Sequence, residues 1–268
     1  HVGFVVNFLF SYEDLRPANV LSFIDIIRLA TSTRLKPVHF VSSFSVLLTK
    51  EYAGKRVGED EKLFPAEGGY REGKRACERL AGQARRRGLS VNIYRPPFIG
   101  WHRSTGYYNE RDFLIKLIHG CLQLGWAPDL DVLFYITPVD YISSSIVRLS
   151  CDPGAANSNF NVLSSPVGIP WTVLVGMINE AGGTLKVEPF AGWRARLRKA
   201  GPQNPLHIFF PAMRDDMEER GSAVMDLFHR DSAPSEIGLG SLTGRLGQPP
   251  EDTAVNAAQM RAFIKRLI

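Results

Sequence analysis

Between Val2 and Pro97, three short apolar runs rich in β-branched residues alternate with two helix-patterned stretches. This alternation constrains the fold more than any other feature of the chain. The runs are residues 2–8, 37–43 and 90–95, the last stopped by Pro96 and Pro97. Apolar residues on both parities suit strands buried on both faces. Over residues 12–33, Val20, Leu21, Ile24, Ile27 and Leu29 recur at helical spacing, and Pro17 suits a first helical position. Residues 70–87 contain no proline and consist mostly of good helix formers. Strand, helix, strand, helix, strand at this spacing predicts right-handed crossovers and a parallel sheet.

Ligands of such sheets bind off the carboxyl ends of the strands. Ser42 and Ser43 end the second run, and Pro96, Pro97 and Phe98 follow the third. Between them, Gly68 and Gly69 break the chain and Tyr70 opens the helix, with Lys74 one turn on along the same face. A lysine ammonium beside a phenol stabilises the phenolate and lowers its pKa from about 10. A tyrosine tuned this way can pass a proton to a carbonyl oxygen near neutral pH, while a serine hydroxyl holds that carbonyl. The plain alternative is a solvated helix face, with the two serines satisfying loop backbone. The Tyr-x-x-x-Lys spacing alone does not decide between them.

Several function classes are disfavoured. The net charge is +5, but the basic residues are scattered. The densest run, Arg85-Arg86-Arg87, falls at a helix end, where cations complement the dipole; no nucleic-acid partner is expected. Cys77, Cys121 and Cys151 are odd in number and far apart, which predicts a reducing, cytoplasmic setting without disulfides. No Cys or His spacing suits a metal, no apolar run reaches membrane-spanning length, and no signal peptide is visible. The segment Gly238-Leu239-Gly240-Ser241-Leu242-Thr243-Gly244 looks like a phosphate loop. The polar stretch 231–236 precedes it and Pro249-Pro250 follow, so it reads as a turn-rich surface segment. Elsewhere, residues 44–67 read as loop. Helices are expected over 110–124, 138–150, 171–181 and 253–267, a short strand over 160–163, and irregular basic helix over 191–235.

Seven stretches resemble the terminal thioester reductase domains of nonribosomal peptide and polyketide synthetases. Those domains are akin to aminoadipate and carboxylic acid reductases within the extended short-chain dehydrogenase/reductase group. The stretches are residues 1–7, 19–22, 39–43, 69–78, 95–100, 112–125 (with 127–129 after it) and 137–141. The Tyr-x-x-x-Lys motif is generic. The segment Phe113-Leu114-Ile115-Lys116-Leu117-Ile118, followed by Gln123-Leu124-Gly125, discriminates far better.

The resemblance implies an α/β fold, a Rossmann-like parallel sheet with a smaller, mostly helical C-terminal substrate subdomain. Residues 1–100 would form the catalytic portion with 136–163 packed on it, and 101–135 and 164–268 the substrate subdomain. The implied catalytic group is Ser43, Tyr70 and Lys74, with Asn19 supporting the proton relay. Gly3, Tyr70, Lys74, Pro97 and Phe98 would border the cofactor, NADPH. The implied reaction reduces an acyl thioester on a phosphopantetheinyl carrier domain, releasing an aldehyde or an alcohol. A fatty acyl-CoA or nucleotide-sugar enzyme, and an inactive remnant or interaction module, are the rival readings.

The departures are specific. Phe4 stands where the family carries a small residue, Gly73 where it has serine, and Arg75 where it has an aromatic. The family's strand, Gly-x-x-Gly-x-x-Gly and helix do not occur here, and residue 1 falls at its fourth strand. These residues alone are therefore expected to bind NADPH weakly and to leave an apolar sheet edge.

Overall fold

The computed structural model describes residues 1–65, 68–213, 233–247 and 253–268. Its central sheet has three parallel strands: Val38–Val41, Val91–Arg95 and Asn159–Asn161. Val91–Arg95 lies in the middle, with Val38 opposite Val91 on one side and Asn159 opposite Ile93 on the other. Every residue of this middle strand is buried, as the unbroken apolar run anticipates.

Both faces of the sheet are covered. On one, the helices Ser22–Thr31 and Gly69–Arg86 pack Phe23, Cys77, Ala81 and Ala84 against Phe40, Val91 and Ile93. The small side chains at 77, 81 and 84 recur at helical spacing, so the long helix can lie close to the strands. On the other face, Val139–Ser150 and Gly240–Leu246 pack Ile142, Leu149, Leu242 and Leu246 on Tyr94 and Phe160. Residues 164–268, expected in the substrate subdomain, thus contribute the Gly240–Leu246 helix to the sheet. A second core gathers Trp101, Leu117, Trp171, Trp193 and Phe263 from the helices Phe113–Leu124, Trp171–Glu180, Phe190–Ala200 and Thr253–Leu267 and their connections. The architecture is the α/β one expected, with a parallel sheet and a mostly helical second body.

Four local expectations are corrected. Residues 2–8 form no ladder strand and are not buried on both faces: Val2 is 75% exposed and Val6 62%. Only His1 runs beside the sheet, donating to the His39 carbonyl and accepting from the Val41 N–H. Further on, the amide of Asn19 takes both backbone groups of Val5, so the segment docks on a helix instead. Pro17 does not start its helix. Ser11 does, through a reciprocal capping box with Asp14. Pro17 lacks the N–H that the α-helical ladder needs, and there the helix passes into one π-type turn, Pro17–Leu21, which buries Asn19.

Residues 44–65 are not an open loop. They form two short 3₁₀ turns and bury Phe44, Val46, Leu47, Tyr52 and Val57. The segment 238–244 is not a surface turn either. Glu236–Ile237 pairs with Arg56–Val57, and the following helix buries Leu242. Its start faces a carboxylate of the protein itself: Ser241 N–H donates to Glu59 Oε2 at 2.8 Å, and from the sheet Asn161 N–H donates to Glu59 Oε1 at 3.2 Å. Burial pushes the Glu59 carboxyl up, and those bonds oppose the shift. Of the expected irregular helix over 191–235, Phe190–Ala200 is α-helical, and 214–232 lie outside the described residues.

Candidate active site

The Gly69–Arg86 helix begins beside the carboxyl end of the sheet because its entry is built from glycine. Gly68 has φ +84°, a conformation other residues avoid. A Cβ on Gly69 would collide with the backbone of Phe10 and Ser11. This close approach delivers Tyr70 and Lys74 to a cavity of ≈ 610 Å³ that Ser43, Pro97 and Phe98 also line. Gly3 does not line it, although Val2 and Phe4 on either side do.

Ser43 ends the loop after Val38–Val41 and caps the Phe44–Leu47 turn. Its hydroxyl oxygen accepts the Ser45 N–H at 3.2 Å and shares a 2.8 Å hydrogen bond with the Ser45 hydroxyl. It therefore satisfies loop backbone and faces the cavity at once. Ser42 turns the other way and donates to Glu78. Asn19 is buried at the π turn, but both ends of its amide are engaged by Val5; among the described residues no hydrogen bond joins it to Tyr70 or Lys74.

Lys74 is 3% exposed, and its ammonium donates to the Val41 carbonyl at 2.8 Å. An ammonium has further N–H groups. Among the described residues no second acceptor meets them, so they remain for a ligand. Burial pulls the Lys74 pKa down to about 7, with Cys77 and Glu78 opposing. Tyr70 is partly buried between Phe4 and Phe8, and burial pushes its phenol up to about 12, with Ser43 opposing. The expectation of a lowered phenol pKa is thus reversed. The Lys74 ammonium points at a carbonyl and sits 5.7 Å from the ring centroid, and desolvation outweighs its charge.

The far wall of the cavity comes from the second body: Tyr107, Tyr108, Asp112, Phe113, Lys116 and Phe209. Asp112 caps the Phe113–Leu124 helix at Leu114 N–H, and burial pushes its carboxyl up to about 6. Lys116 lies in the segment 113–118 that carries the resemblance, but sequence reasoning singles out neither it nor Phe209. The residues present fit the nicotinamide and ribose end of a dinucleotide, since free buried N–H donors border a largely apolar cavity. Among the described residues none forms a glycine cradle for the pyrophosphate: the helix after Gly238 has seven residues and already faces Glu59. Among the described residues there is no group of three or more His, Cys, Asp or Glu able to hold a metal, and no helix long and apolar enough to cross a membrane.

Comparisons with known proteins bear on the family and the fold. The model of an NAD-binding family described as "Male sterility protein" matches residues 1–146. The large subunit of L-2-aminoadipate reductase from Eremothecium gossypii is 31% identical over 238 residues, covering 82% of this chain and 17% of that protein. Among solved structures, the terminal R domain from the myxalamid PKS-NRPS biosynthetic pathway superposes with a TM-score of 0.80 at 31% identity, covering 99% of this chain and 66% of that one. A thiolation-reductase di-domain from an archaeal non-ribosomal peptide synthetase shares the fold, with a TM-score of 0.72 at 18% identity over 99% of this chain and 55% of its own. The chain spans less than a fifth of the curated reductase subunit that it matches.

Proposed function

The chain belongs to the NAD-binding family described as male sterility protein, and from that premise we propose that it is the catalytic part of an NADPH-dependent thioester reductase. The resemblance read from the sequence is borne out at the level of family and fold. One observation carries the proposed chemistry: Ser43, Tyr70 and Lys74 converge on a single cavity off the carboxyl end of the sheet.

Bound NADPH supplies the hydride. The Ser43 hydroxyl donates to the thioester carbonyl and orients it. Tyr70 keeps its proton at neutral pH, because burial holds the phenol near 12. Transfer from Tyr70 Oη becomes favourable as the carbonyl oxygen gains the charge of an alkoxide, giving a hemithioacetal whose C–S bond then breaks to release the aldehyde and the protonated pantetheine thiol. Protonated Lys74, 5.7 Å from the ring, then stabilises the phenolate left behind, and its remaining N–H groups hold the ribose. Asn19 acts on the relay indirectly, by fixing Val5 and with it the segment that carries Phe4. Pro97 and Phe98 wall the nicotinamide side.

The thioester is carried on a phosphopantetheinyl domain, and the acyl chain lies against the side chains of residues 101–135 and 164–268 that face the cavity. Tyr107, Phe113 and Phe209 on the far wall support this division. The free thiols of Cys77, Cys121 and Cys151 fit a cytoplasmic setting.

The test is to load an acyl group on the carrier of the full-length protein, add NADPH or NADH, and identify the product. Aldehyde or alcohol formed faster with NADPH supports the reading. Intact thioester with both cofactors would leave a non-enzymatic interaction module as the better description.

A further inference from the structure

Phe4 and Gly73 are far apart in sequence and touch in the fold. A Cβ added at Gly73 would lie 3.3 Å from Phe4 Cζ and 4.0 Å from Val20 Cγ2, so a methyl there requires the ring to give by a few tenths of an ångström and a longer side chain by more. The ring lies over Lys74, with Nζ 3.8 Å from its centroid, well inside the reach of a cation–π contact at about 6 Å. Phe40 approaches the same ammonium at 5.3 Å. Phe4 also meets the Tyr70 ring edge-on, at 5.7 Å and 87°.

We propose that Phe4 is a positioning residue for Lys74: its ring, admitted by the missing side chain at Gly73, pins the ammonium against the Val41 carbonyl and shuts it off from water. A ligand that uses the other N–H groups of Lys74 must swing the ring away. The swing is a rotation of the Phe4 side chain, because Asn19 holds the neighbouring Val5 backbone in place.

The ring acts on Lys74 in two opposing ways. Its face favours the charged amine, and its bulk excludes water and disfavours it. Full burial moves an amine by several pH units and a cation–π contact by about one, so exclusion of water dominates. Other titratable groups do not reproduce this. Tyr70, Cys77 and Glu78 lie on the lysine's own helix, and Glu78 is engaged by Arg95 and Ser42. On the strand side, the His1 amino group bonds the His39 carbonyl, and the His39 ring bonds Tyr94. Residues 1–10 and 38–43 contain no carboxylate.

The inference concerns the protein without ligand, so its failure would leave the reductase reading standing, and the reverse also holds. The full-length protein is labelled with ¹³C/¹⁵N-lysine and titrated by NMR, with Lys74→Met assigning the resonance. Lys74 is expected to titrate near 7 in the unsubstituted protein. Phe4→Ala should raise that midpoint by about one pH unit or more. Gly73→Ser, by displacing the ring, should raise it as well, and the double variant should move no further than Phe4→Ala alone. Gly73→Ala keeps the test open if Phe4→Ala does not fold. A midpoint unchanged by removing or displacing the ring, or additive shifts in the double variant, would overturn the proposal.

Discussion

Arg95 and Glu78 meet across the helix–sheet interface with Nη2 2.7 Å from Oε2, and both side chains are 2% exposed. Ser42 donates to the same carboxylate, and Arg95 Nη1 donates to the Glu59 carbonyl at 2.7 Å. One buried charge pair thus ties the middle strand, the helix of Tyr70 and Lys74, and the turn that carries Ser43. Glu78→Ala leaves a guanidinium buried without its partner, which costs about 3–5 kcal/mol. Urea unfolding should show that loss. Replacing both partners by apolar residues, Glu78→Leu with Arg95→Met, should recover most of it; equal losses in the two proteins would remove the pair from this role.

Gly69 is required by the approach of Phe10 and Ser11, whose backbone an added Cβ would strike. Gly69→Ala should destabilise by about 1–3 kcal/mol, even though alanine favours helices. Thermal unfolding checks this, and a neutral or stabilising effect would mean that the 10–11 segment does not rest on the helix start in solution.

Asp112 predicts a pH dependence. Its carboxyl is near 6 in the fold, above its ordinary value of 3.8, so the folded state holds the proton more tightly than the unfolded one. Stability should therefore fall as pH rises from about 4 to about 6 and stay lower above that. Asn caps helices as well as Asp does. Asp112→Asn should raise the unfolding midpoint near pH 7.5 and change it little near pH 4.5. The opposite pattern would mean that the carboxylate is stabilised as an anion.

The middle of the fold was legible because its signals are local. Apolar runs bounded by Pro37, by Pro96 and by the Gly68-Gly69 pair gave the strands Val38–Val41 and Val91–Arg95 and the helix between them. The rule that ligands sit off strand ends gathered Ser43, Tyr70 and Lys74, and the three line one cavity. Residues 2–8 misled because apolar composition expresses a preference for burial without naming a partner; Asn19, and not a neighbouring strand, takes Val5. The contact of Phe4 with Gly73 and the seat of Glu59 at the start of the Gly240 helix are non-local, and nothing near them in sequence announces either. The pKa of Tyr70 was misjudged for the same reason: spacing reveals the lysine, and only the packed structure reveals the desolvation.

The central claim is that Tyr70 delivers a proton to a thioester carbonyl held beside Ser43 and Lys74. Tyr70→Phe removes the hydroxyl and leaves the ring packed between Phe4 and Phe8. Single-turnover reduction of a carrier-bound acyl thioester by the full-length protein, with NADPH in excess, reads this step directly. The account predicts a rate lower by about 10²–10⁴ with unchanged folding. A rate equal to that of the unsubstituted protein would contradict it.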